Sequence, residues 1–210
     1  MKILAIGGMP GVGKTSLALK LIRGLSDRVK FTKVVYKLDH FPKRSGKIMK
    51  INLPTLECSI GGKKIIIVGI YQKGYRSKSG SPNLGTDPLN MVAPVVFPGF
   101  IEELSNVAET PCSVFFEGQG LFKKNCLAKI EAIPGLEKRF VFLETSPENY
   151  KERCTIRAAE GKLQTKRFRQ SINTSLTNIR NSLTVESWPN NNFQDMADNV
   201  KNSEEWLVSP

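Results

Sequence analysis

The sequence holds a single histidine, His40, and four cysteines with no C-x-x-C pair. Zinc sites are assembled from closely spaced Cys and His ligands, so the usual ligand rules exclude that chemistry. Cys58, Cys112, Cys126 and Cys154 are widely separated; they read as buried free thiols of a reducing compartment. No apolar run approaches the roughly 20 residues of a membrane span. The opening Met1–Ile6 is too short for a signal-peptide core and runs straight into glycines. A cytoplasmic protein without membrane attachment is expected. Acidic residues are scarce too, 19 against 31 Lys and Arg, giving a net charge of +12. Residues 41–80 carry nine Lys/Arg and one acid, and residues 151–180 carry eight and two, whereas 81–150 and 181–210 each come to −4. Two basic stretches on a near-neutral body point to a polyanionic partner. Arginines serving a triphosphate account for the second stretch but not easily for the first.

Within this composition lies an alternation of strand and helix signals. Ile3–Ile6 reads as a buried strand, and Leu17, Leu21, Ile22 and Leu25 repeat at helical spacing after it. Val34–Leu38 reads as a second strand. Leu56–Ile60 and Lys64–Tyr71 flank Gly61-Gly62, a two-residue hairpin signal. Residues 72–88, rich in Gly, Ser, Lys and Pro, are expected to form a long loop. A helix over Pro98–Val107, a strand at Ser113–Glu117, a helix near Leu121–Ala132 and a strand at Phe140–Leu143 follow. Ser146-Pro147-Glu148 starts a helix that runs to about Gly161, and another covers Lys166–Ser182. The pattern predicts one domain over 1–210: a three-layer α/β/α sandwich with a mainly parallel sheet and an inserted β-hairpin. Residues 146–184 would form a lid, and 189–210 a loose polar tail whose Trp206 and Leu207 could dock.

Gly8-Met9-Pro10-Gly11-Val12-Gly13-Lys14-Thr15 matches G-x-x-x-x-G-K-[ST] in full, between a predicted strand and a predicted helix. In this phosphate-binding loop, glycines turn successive N–H groups inward and the helix adds its positive end. ATP is expected on Gly8, Gly11, Val12, Gly13, Lys14, Thr15 and Ser16, with Lys14 on the β- and γ-phosphates and Thr15 on Mg²⁺. The guanine-reading N-K-x-D and the D-x-x-G switch of GTPases are absent. Glu117, closing the run Val114-Phe115-Phe116, is placed to orient magnesium or its water. Arg153 and Arg157, four apart on one helix face, with Arg167 and Arg169 beyond, suit a lid that neutralises a transferring phosphoryl group. An acceptor hydroxyl needs a carboxylate to align it. Two qualify: Asp87 in Gly85-Thr86-Asp87-Pro88, and Asp39 after the second strand.

With these residues in place, the chain resembles the bacteriophage 5-hydroxymethyluracil DNA kinases, P-loop enzymes of thymine hypermodification. The likeness runs through the P-loop, Gly69-Ile70-Tyr71, Gly85-Thr86-Asp87-Pro88-Leu89-Asn90-Met91, Phe116-Glu117-Gly118, and the later helix with Lys166 and Thr177-Asn178-Ile179. Pro88, Asn90 and Gln119-Gly120 depart from the family pattern, which has Arg, Ser and Asp-Arg there. The resemblance implies transfer of the ATP γ-phosphate to the 5-hydroxymethyl group of a uracil base within DNA, and it favours Asp87 over Asp39. Tyr71, Lys73, Tyr75 and Arg76 in the long loop, with Arg167 and Arg169, have a composition suited to DNA backbone contact and base stacking. Two other readings stay open: a kinase of free nucleosides or nucleotides, and a DNA-associated ATPase without a phosphoryl acceptor.

Overall fold

A computed structural model describes residues 1–40, 48–71, 85–86, 89, 93–107, 110–159, 161 and 165–209. In chain order the elements are β1 (Lys2–Gly7), α1 (Lys14–Ser26), β2 (Thr32–His40), β3 (Met49–Ile60), β4 (Lys63–Val68), α2 (Ala93–Val107) and β5 (Cys112–Glu117). They continue with α3 (Lys124–Glu131), β6 (Glu137–Glu144), α4 (Pro147–Ala159), α5 (Lys166–Arg180), β7 (Glu186–Pro189) and α6 (Phe193–Val208). The seven strands form one sheet in the order β2-β3-β4-β5-β1-β6-β7. From β4 to β7 every pairing is parallel, while β3 runs antiparallel to both of its neighbours.

The central strands β1 and β5 are buried at every position because both faces of the sheet are covered. Side chains alternate between faces, and the packing follows that alternation. Ile3 and Ala5 of β1, Ile66 and Val68 of β4, Val114 and Phe116 of β5, and Phe140 and Phe142 of β6 pack toward α2, α3 and Ile179 of α5. Leu4, Ile6, Ile65, Ile67, Phe115, Val141 and Leu143 pack toward Leu17, Leu21 and Leu25 of α1 and Met196 and Leu207 of α6. The expected sandwich is therefore present, with its parallel sheet and its hairpin. Gly61 and Gly62 make the β3–β4 turn at φ values of 57° and 76°, the pair of positive angles that a twisted two-residue hairpin requires.

Some expectations change. Residues 193–208 are not a loose tail but a helix in the α1 layer, capped by the Asn192 side chain accepting from the Asp195 amide at 2.9 Å. The Lys2 ammonium donates to the backbone oxygen of Ser209 at 3.1 Å and to its hydroxyl at 2.7 Å; Lys63 donates to the same backbone oxygen. Trp206 lies beneath the Lys2 ammonium and the Arg139 guanidinium, 5.1 and 4.3 Å from its ring centroid. Helix α2 starts at Ala93 and carries Pro98 inside it. Among the described residues no helix is long and apolar enough to cross a membrane.

Three of the four thiols are sealed in the packing. Burial pushes Cys58 and Cys112 up to about 11 and Cys126 to about 12, while Cys154 on α4 is partly exposed. Near pH 8 a thiol reagent is expected to titrate Cys154 quickly and the other three only after unfolding, since thiolate and access are both required. Four fast-reacting thiols in the native protein would contradict this packing.

Candidate functional site

The site is assembled where β1 and β5 end side by side. Pairing of Ile6 with Glu117 brings the last residue of β5 level with the end of β1, and the Gly118 amide closes the junction on the Ile6 carbonyl at 3.1 Å. From Gly7 the chain turns through the glycine loop into α1. Gly13, the N-cap of α1, sits at φ 101°, and a Cβ there would lie 2.6 Å from Asn190 Nδ2. Only glycine meets both conditions. Helix α1 has no side-chain cap and no acid in its first turn. Its leading amides and the positive end of its dipole are thus left to an anionic ligand.

Lys14 is 8% exposed, and its ammonium donates to the carbonyls of Gly8 and Met9, both at 3.0 Å. The cation is therefore folded over the loop. Thr15 Oγ1 donates to Glu117 Oε1 at 3.1 Å, and Glu117 is 1% exposed. A hydroxyl and a carboxylate are the hard oxygen donors that Mg²⁺ takes, so the donor set fits that ion. Ser16 is exposed on the first turn of α1.

Glu117 also organises the segment before Asp87. Thr86 Oγ1 donates to the Glu117 carbonyl at 2.6 Å. Gly85 and Ile70 exchange two backbone hydrogen bonds, of 2.7 and 2.8 Å. A Cβ on Gly85 would lie 1.9 Å from Glu117 Oε1, so the backbone there abuts the carboxylate. Asp87 itself lies outside the described residues, as do Lys73, Tyr75 and Arg76.

Arg153 and Arg157 share the face of α4 that meets the loop. Arg153 donates to the Val12 carbonyl at 3.1 Å and to the Asn190 carbonyl at 2.6 Å. The Arg157 side chain passes Gly11, its Cδ 3.2 Å from where a Cβ would stand. Asn190, fully buried after β7, was not foreseen from sequence. Its side chain also donates to the Val12 carbonyl, and its own amide donates to Glu144 at 2.7 Å. One Asn in a run of three carries no spacing or motif that would single it out.

Other expected residues stand elsewhere. Asp39 is exposed on β2, four strand positions from β1, roughly 19 Å at the usual strand spacing. There it pairs with Lys50 at 2.5 Å, so the geometry does not support it as the aligning carboxylate. Tyr71 is half-buried against the α1-side core. Arg167 is exposed on α5, and Arg169 approaches Cys154 Sγ at 3.7 Å. The first basic stretch is also partly committed internally. Lys50 pairs with Asp39, Lys64 pairs with Glu57 at 2.7 Å, and Lys63 donates to Ser209.

Two cavities of about 480 Å³ each flank Gly8. One is bounded by α2, the β5–α3 connection and α5; the other lies between the end of β6, the start of α4 and the C-terminal half of α5. Leu176 of α5 borders both.

Fold and loop together define a P-loop α/β protein. No protein-family model matches the chain, and no curated protein sequence does. Among solved structures it is similar to a gluconokinase from Sinorhizobium meliloti 1021, with a TM-score of 0.41 and 17% identity over 99% of this chain and 91% of that one.

Asn190→Ala removes a buried hydrogen bond, a loss of about 1–3 kcal/mol. It is expected to lower Tm and to weaken binding of a fluorescent ATP analogue about tenfold. Unchanged affinity would show that the loop keeps its shape without this contact.

Proposed function

We propose that the protein is an ATP-dependent phosphotransferase acting on an alcohol, and that its acceptor is the 5-hydroxymethyl group of 5-hydroxymethyluracil within DNA. The observation that carries the transferase reading is the Thr15–Glu117 contact at the P-loop, a loop that two arginines of α4 also meet, at Val12 and Gly11. The loop amides and Lys14 would hold the triphosphate, and Thr15 and Glu117 would hold Mg²⁺. Mg²⁺, when bound, supplies charge neutralisation on the phosphate oxygens.

In this reading the acceptor oxygen bonds to the γ-phosphorus as the bond to the β–γ bridging oxygen breaks. ADP departs with that electron pair, and the hydroxyl proton passes to Asp87. Asp87 follows directly on the Gly85-Thr86 segment fixed against Glu117, which favours it over the ion-paired Asp39. Arg157 stands beside Gly11 already. Arg153 reaches a phosphoryl group only by exchanging its bonds to Val12 and Asn190.

Support for a DNA acceptor comes from the resemblance of Gly85–Met91 and Phe116–Gly118 to the hydroxymethyluracil DNA kinases, and from the net charge of +12. A polymer acceptor would benefit from that charge and bind in a salt-dependent way. A kinase of free nucleotides is the second reading. It is favoured by the cavity of about 480 Å³ beside Gly8, a volume in the range of small-molecule sites, roughly 300–1,000 Å³. An extruded nucleotide of a strand occupies similar space.

Radiolabelled ATP offered with hydroxymethyluracil DNA and the free monophosphate together tests both readings. Label is expected on the polymer; label on the monomer alone assigns the second reading. Lys14→Ala is expected to reduce transfer by at least 100-fold, with Tm held within a few degrees. Undiminished turnover in that variant would refute the assigned role of the ammonium.

A further inference from the structure

We propose that the cavity between α2, α3 and α5 is the acceptor chamber, and that it is built for an acceptor already bearing a phosphate of its own. Such an acceptor is a nucleotide unit, free or within a strand, rather than a nucleoside or a sugar. The inference rests on the phosphotransferase reading and narrows the substrate class of that site.

Position comes first. Gly7 and Gly8 form one wall, so the chamber opens onto the P-loop itself. Gln119, two residues past Glu117, forms another part of the lining. A hydroxyl held in this space is adjacent to the loop that would hold the triphosphate.

The lining then states what the occupant must carry. Among the described residues, its charged lining is Lys123 and Lys124, without an Asp or Glu. Neither ammonium has an ion-pair partner among the described residues. Lys123 is half-buried and Lys124 exposed at the cavity wall, and a phosphate, whether a monoester dianion or the monoanionic diester of a strand, is attracted to both. A neutral nucleoside gains nothing from them.

The remaining surface suits a base. Phe122, Ile172 and Leu176 supply apolar wall, and Ser171 and Ser175 of α5 add hydroxyls that can donate or accept. The Phe122 ring lies so close over Gly7 that a Cβ there would be 2.3 Å from it, which holds the wall rigidly against the end of β1. Polar groups set in a partly apolar recess are the usual means of orienting a small ring.

The test compares 5-hydroxymethyl-2′-deoxyuridine with its 5′-monophosphate, using the full chain with ADP and Mg²⁺ in a calorimeter. The monophosphate is expected to bind at least tenfold tighter. The double variant Lys123→Ser, Lys124→Ser should erase that difference while leaving nucleoside affinity and Tm unmoved, and Lys123→Arg, Lys124→Arg should restore it. Equal binding of the two ligands by the native protein, or a preference that survives in the serine variant, overturns the proposal. Phosphate transfer separates the two claims. Lysine-dependent binding without transfer to any acceptor leaves the chamber standing and removes the kinase. Transfer with a monophosphate KM unchanged in the serine variant leaves the kinase and removes the chamber.

Discussion

The carbonyl of Val12 is the point on which the site depends. It accepts from the Asn190 side chain, which comes from the end of β7, and from Arg153, which comes from α4. A carbonyl has two lone pairs, and here both are used. The three segments that must converge at the loop are thereby tied through one oxygen. The neighbouring Gly13 has no side chain because Asn190 occupies the space where a Cβ would sit. Loop shape, the last parallel strand and the helix carrying the arginines are consequently set together.

Much of this architecture was legible in the sequence. The apolar runs at Ile3–Ile6, Val114–Phe116 and Phe140–Leu143 declared strands covered on both faces, and the glycine motif declared the turn between β1 and α1. Glu117 was found because a charge closing an apolar run is locally anomalous. What escaped has a physical reason. Strand β7 is four residues long and exposes three of them, so no periodicity marks it. Pro98 reads as a helix start by local preference, yet α2 runs through it because Phe97, Phe100 and Ile101 are buried against the sheet. Asn190 acts through tertiary convergence alone, which no window of sequence contains.

Charge illustrates the same divide between composition and placement. A count along residues 41–80 gives a basic stretch, but the described lysines there serve Asp39, Glu57 and Ser209. Glu57 is further held by the Tyr36 hydroxyl at 2.6 Å and by Thr55 at 3.1 Å. Those cations stabilise β-sheet edges and the seat of α6. Lys123 and Lys124 lie in a segment whose overall charge is negative, so the count hid the pair that the fold sets at the rim of a recess.

Helix α4 has no buried residue. The body of the protein is held by apolar area, to which α4 adds only the half-buried Tyr150, whereas Arg153 meets the loop through a hydrogen bond to Val12. Swinging this helix away uncovers little beyond Tyr150, which packs on the α1-side core, so its motion carries only a small heat-capacity change. The domain can therefore melt as a single cooperative body while α4 opens and recloses on its own, at a frequency set by a handful of polar contacts.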